Sequence, residues 1–210
     1  STMRHFKGDA ELLQIACEVL ANFASLEEEG PPEDATEEEQ AEWMSVQRVV
    51  YDEEGAKEVL SAIQRMQANS AVVKAGFDAL HNICSDLEVS SELVAELAVV
   101  PTLIDLGRQF DWDADLLEHL MPLLATLAES PDAAAAVVSL DGIPVIISAM
   151  EQHGMENTEL LFAGQLALSS LAVHESARDA FANSNAVESL IAMIRENASN
   201  AADVGVRAYI

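Results

Sequence analysis

Leu12-Leu-Gln-Ile-Ala-Cys-Glu-Val-Leu-Ala-Asn-Phe-Ala24 sets a pattern of small and apolar residues that the chain repeats three times. It returns as Val72-Val-Lys-Ala-Gly-Phe-Asp-Ala-Leu-His-Asn-Ile-Cys84, as Leu116-Leu-Glu-His-Leu-Met-Pro-Leu-Leu-Ala-Thr-Leu-Ala128 and as Leu160-Leu-Phe-Ala-Gly-Gln-Leu-Ala-Leu-Ser-Ser-Leu-Ala172. The starts lie 60, 44 and 44 residues apart. A shorter series runs from Gly55 to Ile63, Val99 to Gly107, Gly142 to Met150 and Ala186 to Ile194, spaced by 44, 43 and 44. Two series that share one period are the mark of a repeat array.

A third apolar segment precedes members of the shorter series, at Ser91 to Leu97, Ala133 to Val138 and Ser176 to Phe181, so each repeat holds one short and two longer helices. Punctuation agrees with these cuts. Ser130-Pro131 offers an N-cap with proline at the first helical position, and Ser85-x-x-Glu88 fits a capping box. Gly55 and Gly142 mark sharp turns after the first helices, and Pro101 and Pro144 open the second ones. Strand-like alternation is missing, so the fold class is all-α.

The Gly142-Ile-Pro144 turn and the third-helix ending Ala79-Leu80-His81-Asn82-Ile83 resemble the armadillo repeat family. HEAT repeats, the near alternative, lack the Gly-x-Pro turn. The resemblance implies a right-handed superhelical solenoid of three-helix repeats, period about 44, whose third helices line a concave groove for proteins or extended peptides. On this reading residues 1–210 form one repeat domain: a partial repeat at 9–25, an acidic insertion at 27–40, repeats at about 41–85, 86–128 and 130–172, and an incomplete one at 174–210. An uncapped array exposes its stacking faces, so the chain reads as a fragment of a longer one. Ser1-Thr2 before Met3 reads as a cloning remnant.

The groove stripe follows from the register. Its three levels are Gln14, Lys74, Glu118 and Phe162; then Glu18, Asp78, Pro122 and Leu166; then Asn22, Asn82, Thr126 and Ser170. In the family an asparagine at the last level bonds the backbone of a bound peptide; Asn22 and Asn82 match, Thr126 and Ser170 depart. Nuclear-import adaptors carry tryptophan one turn earlier, and none of Glu18, Asp78, Pro122 and Leu166 is tryptophan. The stripe turns apolar at Phe162 and Leu166, with Val206 and Ile210 at the matching positions of the last repeat. Either these four anchor an apolar part of a partner, with Glu18, Asp78 and Glu118 attracting its basic part, or neighbouring repeats cover them. Pro122 inside a third helix either bends it or is tolerated by packing.

Composition narrows the function. There are 37 acidic and 10 basic side chains, a formal net charge of -27, and half of the residues are apolar. That is enough for a core, and the sign opposes a direct grip on nucleic acid or an anionic membrane surface. Trp43 and Trp112 lack interleaved cations. The insertion from Glu27 to Gln40 holds eight acids in fourteen residues, a solvated linker or a trap for a basic tail. Cys17 and Cys84 form no disulfide framework and point to cytoplasm or nucleus. Leu160 to Val173, the longest uncharged run, is too short to span a membrane.

No catalytic motif stands out: no glycine-rich phosphate loop, no Gly-x-Ser-x-Gly, no His-Glu-x-x-His. His5, His81, His119, His153 and His174 show no ligand spacing. Asp111-Trp-Asp-Ala-Asp115 fails as a calcium loop because Leu116 replaces the glycine and Pro122 the closing glutamate; Asp113 and Asp115 fit the start of a helix. The expectation is a non-enzymatic scaffold or adaptor, without cofactor or metal, that binds a protein or peptide with basic and apolar segments. Alternatives are a docking region of a larger enzyme or motor complex, or a chaperone or exchange factor gripping a folded client. Oligomeric state is open.

Overall fold

The computed structural model describes residues 8–25, 46–97, 99–154, 156–193 and 195. The 27–40 insertion, His5, Trp43, Val206 and Ile210 lie outside the described residues. Within them all regular structure is helical, and no strand occurs. In chain order the helices are α1 (Ala10–Ala24), α2 (Val46–Asp52), α3 (Gly55–Arg65), α4 (Ser70–Ile83), α5 (Leu87–Glu96), α6 (Val99–Gln109), α7 (Ala114–Leu127), α8 (Pro131–Ser139), α9 (Gly142–His153), α10 (Thr158–Ala172) and α11 (Glu175–Asn183). A further helix, α12, occupies 186–193.

The four helices that contain the long aligned segments start alike. Asp9, Asn69, Asp113 and Asn157 each accept the N–H three residues on, from Leu12, Val72, Leu116 and Leu160, at 3.1, 3.2, 3.1 and 2.9 Å. A short carboxylate or amide satisfies an orphan donor of the first turn in every case.

Two expectations about punctuation need correction. Ser85 is not a capping residue: its hydroxyl donates backward to the Asn82 carbonyl at 2.7 Å, and Asp86 caps α5 by accepting from Glu88 and Val89. Ser130 precedes α8 but its side chain makes no capping bond. The expected sharp turns before α3 and α9 are present, with the left-handed conformation on Glu54 (φ 61°) and Asp141 (φ 54°) immediately before the glycines. Gly55 and Gly142 serve close approach there. A Cβ on Gly55 would lie 2.6 Å from the Val50 carbonyl oxygen, and one on Gly142 2.8 Å from that of Val137. Glycine here lets the second helix start against the end of the first; α8 and α9 meet at 76°. Pro131 opens α8 at its first position, and α7 runs unbroken across Pro122.

The described residues form two compact units that divide between Thr102 and Leu103. In the first, α1 packs along α4, α3 closes on α4, and α2 touches α5. Its core contains Leu13, Val59, Ile63, Phe77, Leu80 and Ile83, all with no exposed surface. In the second, α7 packs along α10, α9 on α10, and α8 on α11. Leu116, Leu117, Leu120, Leu123, Ile146 and Leu160 are sealed there. Each such side chain contributes about 1.5–3 kcal/mol by leaving water.

Polar bonds pin the helices of each unit together. In the first, Gln47 Nε2 donates to the Ala24 carbonyl at 2.7 Å. Arg48 bridges α2 to α5 through Glu92 (2.8 Å), also pairs with Asp52 (3.0 Å), and lies over the Tyr51 ring. The Tyr51 hydroxyl reaches Glu96 at 3.1 Å. In the second unit, His174 Nε2 donates to the Ala128 carbonyl at 2.7 Å and His153 Nε2 to that of Asp111 at 2.6 Å.

Candidate interaction surface

Every described position of the expected stripe is half-buried or exposed; none belongs to the core. In the first unit Gln14, Glu18 and Asn22 lie on one side of α1, and Gln14 Nε2 donates to Glu18 at 2.8 Å. Lys74 and Asp78 stand one turn apart on α4, half-buried. Asn82 has an internal partner: its Nδ2 donates to the Ala21 carbonyl at 2.9 Å, fastening α4 to α1. One of the two N–H donors that a peptide backbone would use is thereby engaged.

In the second unit Glu118 is also engaged. Its Oε2 accepts from Asn157 Nδ2 at 2.7 Å, and Asn157 is the residue whose Oδ1 caps α10. Thr126, Pro122 and Ser170 are half-buried. Phe162 and Leu166 stand out, 70 and 49 % exposed, one turn apart on α10. Burial was the alternative for these two side chains; Phe162 is mostly open and Leu166 about half open. Val206 and Ile210, expected beside them in register, lie outside the described residues.

The sequence reading missed the Asx caps as a set. Extending each aligned segment back by three residues exposes them, since Asp9, Asn69, Asp113 and Asn157 precede all four. It also missed a second apolar surface. Ile15, Val19 and Phe23, on α1 beside the polar stripe, are 48, 60 and 49 % exposed. They had the look of core residues because periodicity reveals apolar positions and not what covers them.

Reactive chemistry is muted in what is described. Cys17 and Cys84 are free and buried, and burial pushes both thiols up to about 12, with the Glu18 carboxylate adding to the effect on Cys17. Thiols so raised stay protonated at neutral pH and are poor nucleophiles and ligands. Among the described residues no cluster of three or more His, Cys, Asp and Glu side chains is placed to hold a metal ion. No single described helix is long and apolar enough to cross a membrane. Compared with protein-family models, with curated proteins and with solved structures, the chain matches none.

Proposed function

We propose that this chain forms an armadillo-like solenoid, with a period of about 44 residues, that works without catalysis as a protein-interaction scaffold. Support for the architecture comes from the common Asx cap of α1, α4, α7 and α10, and from the left-handed residue followed by glycine before both α3 and α9. Free buried thiols fit a reducing compartment, the cytoplasm or nucleus. The binding surface is the third-helix stripe. Phe162 and Leu166 hold an apolar anchor of the partner, and the carboxylates of Glu18, Asp78 and Glu118 favour basic residues near it.

The observation that carries this reading is the exposure of Phe162 and Leu166 side by side on α10. A phenylalanine 70 % open to water, with a leucine one turn away, is the kind of aromatic anchor that dominates interface energetics. The test is affinity capture from the native cell extract at low and at moderate salt, with Phe162→Asp/Leu166→Asp beside the unaltered protein. A protein retained at both salts and lost from the variant, with circular dichroism unchanged, is the expected result. Capture indifferent to the variant overturns the assignment of the anchor. Lost helicity in the variant gives both side chains back to the core and overturns it too.

A further inference from the structure

Trp112 is 68 % exposed, on the turn between α6 and α7. Tryptophan is highly buried on average, so an indole this open is an exception to account for. The repeat register excludes helix stacking as the reason. Trp112 stands one residue before the cap of α7, and the same place before the caps of α1, α4 and α10 holds Gly8, Ala68 and Glu156. All four are exposed. This position therefore faces water wherever the register places it, unlike the faces on which neighbouring helices stack. Only at Trp112 does it carry a large aromatic ring.

The ring is also held in place. It leans on the buried ring of Phe110, with centroids 6.0 Å apart and planes at 50°. The Asp113 N–H closes the turn by donating to the Phe110 carbonyl at 3.0 Å, and the Asp111 carbonyl is bonded to His153 at the end of α9. A side chain fixed in this way loses little freedom when a partner lands on it.

Charge beside the ring has one sign. Asp111 and Asp113 flank it, and the Asp111 side chain is exposed, with no hydrogen bond or ion pair among the described residues. Asp113 caps α7 through Oδ1, so a full negative charge offsets the partial positive end of that helix. Arg108, the nearest cation in sequence, is engaged elsewhere, by the Leu140 carbonyl and by Asp105. The electronegative face of an indole and a carboxylate next to it both favour a cation. A planar guanidinium uses both, stacking on the ring while its N–H groups reach an oxygen; a compact, strongly hydrated ammonium uses them less well.

We infer that Trp112 is a docking point for an arginine side chain in a basic segment of a partner protein, with the Asp111 carboxylate as the second contact. The inference stands on this turn alone and does not require the Phe162 surface.

The probe is a fluorescein-labelled glycine peptide carrying three arginines, read by anisotropy at about 150 mM salt, with a lysine peptide of equal charge as control. The expected result is binding of the arginine peptide at least about threefold tighter than the lysine peptide. Trp112→Ala weakens it about fivefold and Asp111→Asn about twofold, with circular dichroism unchanged. In Trp43→Phe, where Trp112 is the remaining indole, the unlabelled arginine peptide should protect the emission from acrylamide quenching. Phe162→Ala/Leu166→Ala leaves all of this unchanged, so the two surfaces stand or fall separately. Equal binding of the two peptides overturns the inference, since bulk charge then explains it, and so does indifference to Trp112→Ala. If that variant loses helicity, Trp112→Leu, which keeps apolar bulk and removes the indole face, gives the deciding measurement. An indole already protected in the free protein and opened by Arg4→Gln or Arg207→Gln also overturns it, because the arginine then comes from the chain itself.

Discussion

Helices α1 and α10 are both fifteen residues long, share one register and begin at the same kind of Asx cap, yet they show water opposite choices. Where α1 carries Gln14 and Glu18, α10 carries Phe162 and Leu166. Where α1 exposes Ile15, Val19 and Phe23, α10 buries Ala163, Ala167 and Leu171. The backbone scaffold is held constant while the apolar surface moves around the helix. Helices of one sequence pattern can thus show water different chemistry without altering the core, because burial on one side leaves the others free to vary.

The contrast should break first at Leu171. Truncation of this buried residue to alanine is expected to cost about 2–5 kcal/mol, while Phe23→Ala, at the equivalent position, costs less than about 1 kcal/mol because half the ring is already in water. Urea denaturation of the two variants measures the gap, and equal losses would mean that α1 is covered after all. Next come the caps. Asn157→Ala removes both the bond to Leu160 N–H and the one to Glu118, for an expected loss of about 1–2 kcal/mol; Asp9→Ala removes one bond and costs about 0.5–1 kcal/mol. Thermal melts rank them, and a reversed order removes the special place given to Asn157.

The smallest effect belongs to the thiols. Both Cys17 and Cys84 hold their protons in the fold up to about 12, against an ordinary value of 9.0. The folded state binds the proton more tightly than the unfolded chain, so this contribution is complete below 9 and disappears as pH rises from 9 towards 12. Urea midpoints followed from pH 8 to pH 10.5 should fall, and fall less in Cys17→Ala/Cys84→Ala. Parallel slopes would show that the thiols do not titrate with unfolding.

Much of the helical organisation was legible because it rests on local signals. The aligned segments lie on α1, α4, α7 and α10, and α8 starts at Pro131 where it was expected, though the Ser130 side chain makes no capping bond. The cap of α5 was displaced by one residue because Ser85 and Asp86 both qualify and only the three-dimensional arrangement decides between them. Gly55 and Gly142 stand at the sharp turns expected of them, where the crowding of Val50 and Val137 needs the missing Cβ and the preceding acid takes the left-handed conformation. For the candidate site, register put Phe162 and Leu166 on one stripe, and both are exposed. It did not find the use of Asn82 and Glu118 as internal fasteners, since their partners, the Ala21 carbonyl and Asn157, are 61 and 39 residues away in sequence. The exposure of Ile15, Val19 and Phe23 was beyond reach for the same reason: coverage is a property of neighbours.

One side chain ties these levels together. Asn157 holds the first turn of α10 with its oxygen and Glu118 of α7 with its nitrogen, so two helices share a single planar amide. A cation that drew the Glu118 carboxylate aside would release that nitrogen, free the amide to rotate and let the start of α10 fray. The opening Thr158 of α10 stands four residues ahead of Phe162, so the amide that joins the two helices also sits one turn before the exposed ring. One planar group thus serves two helices at once, and neither bond can be removed by truncating Asn157 without the other.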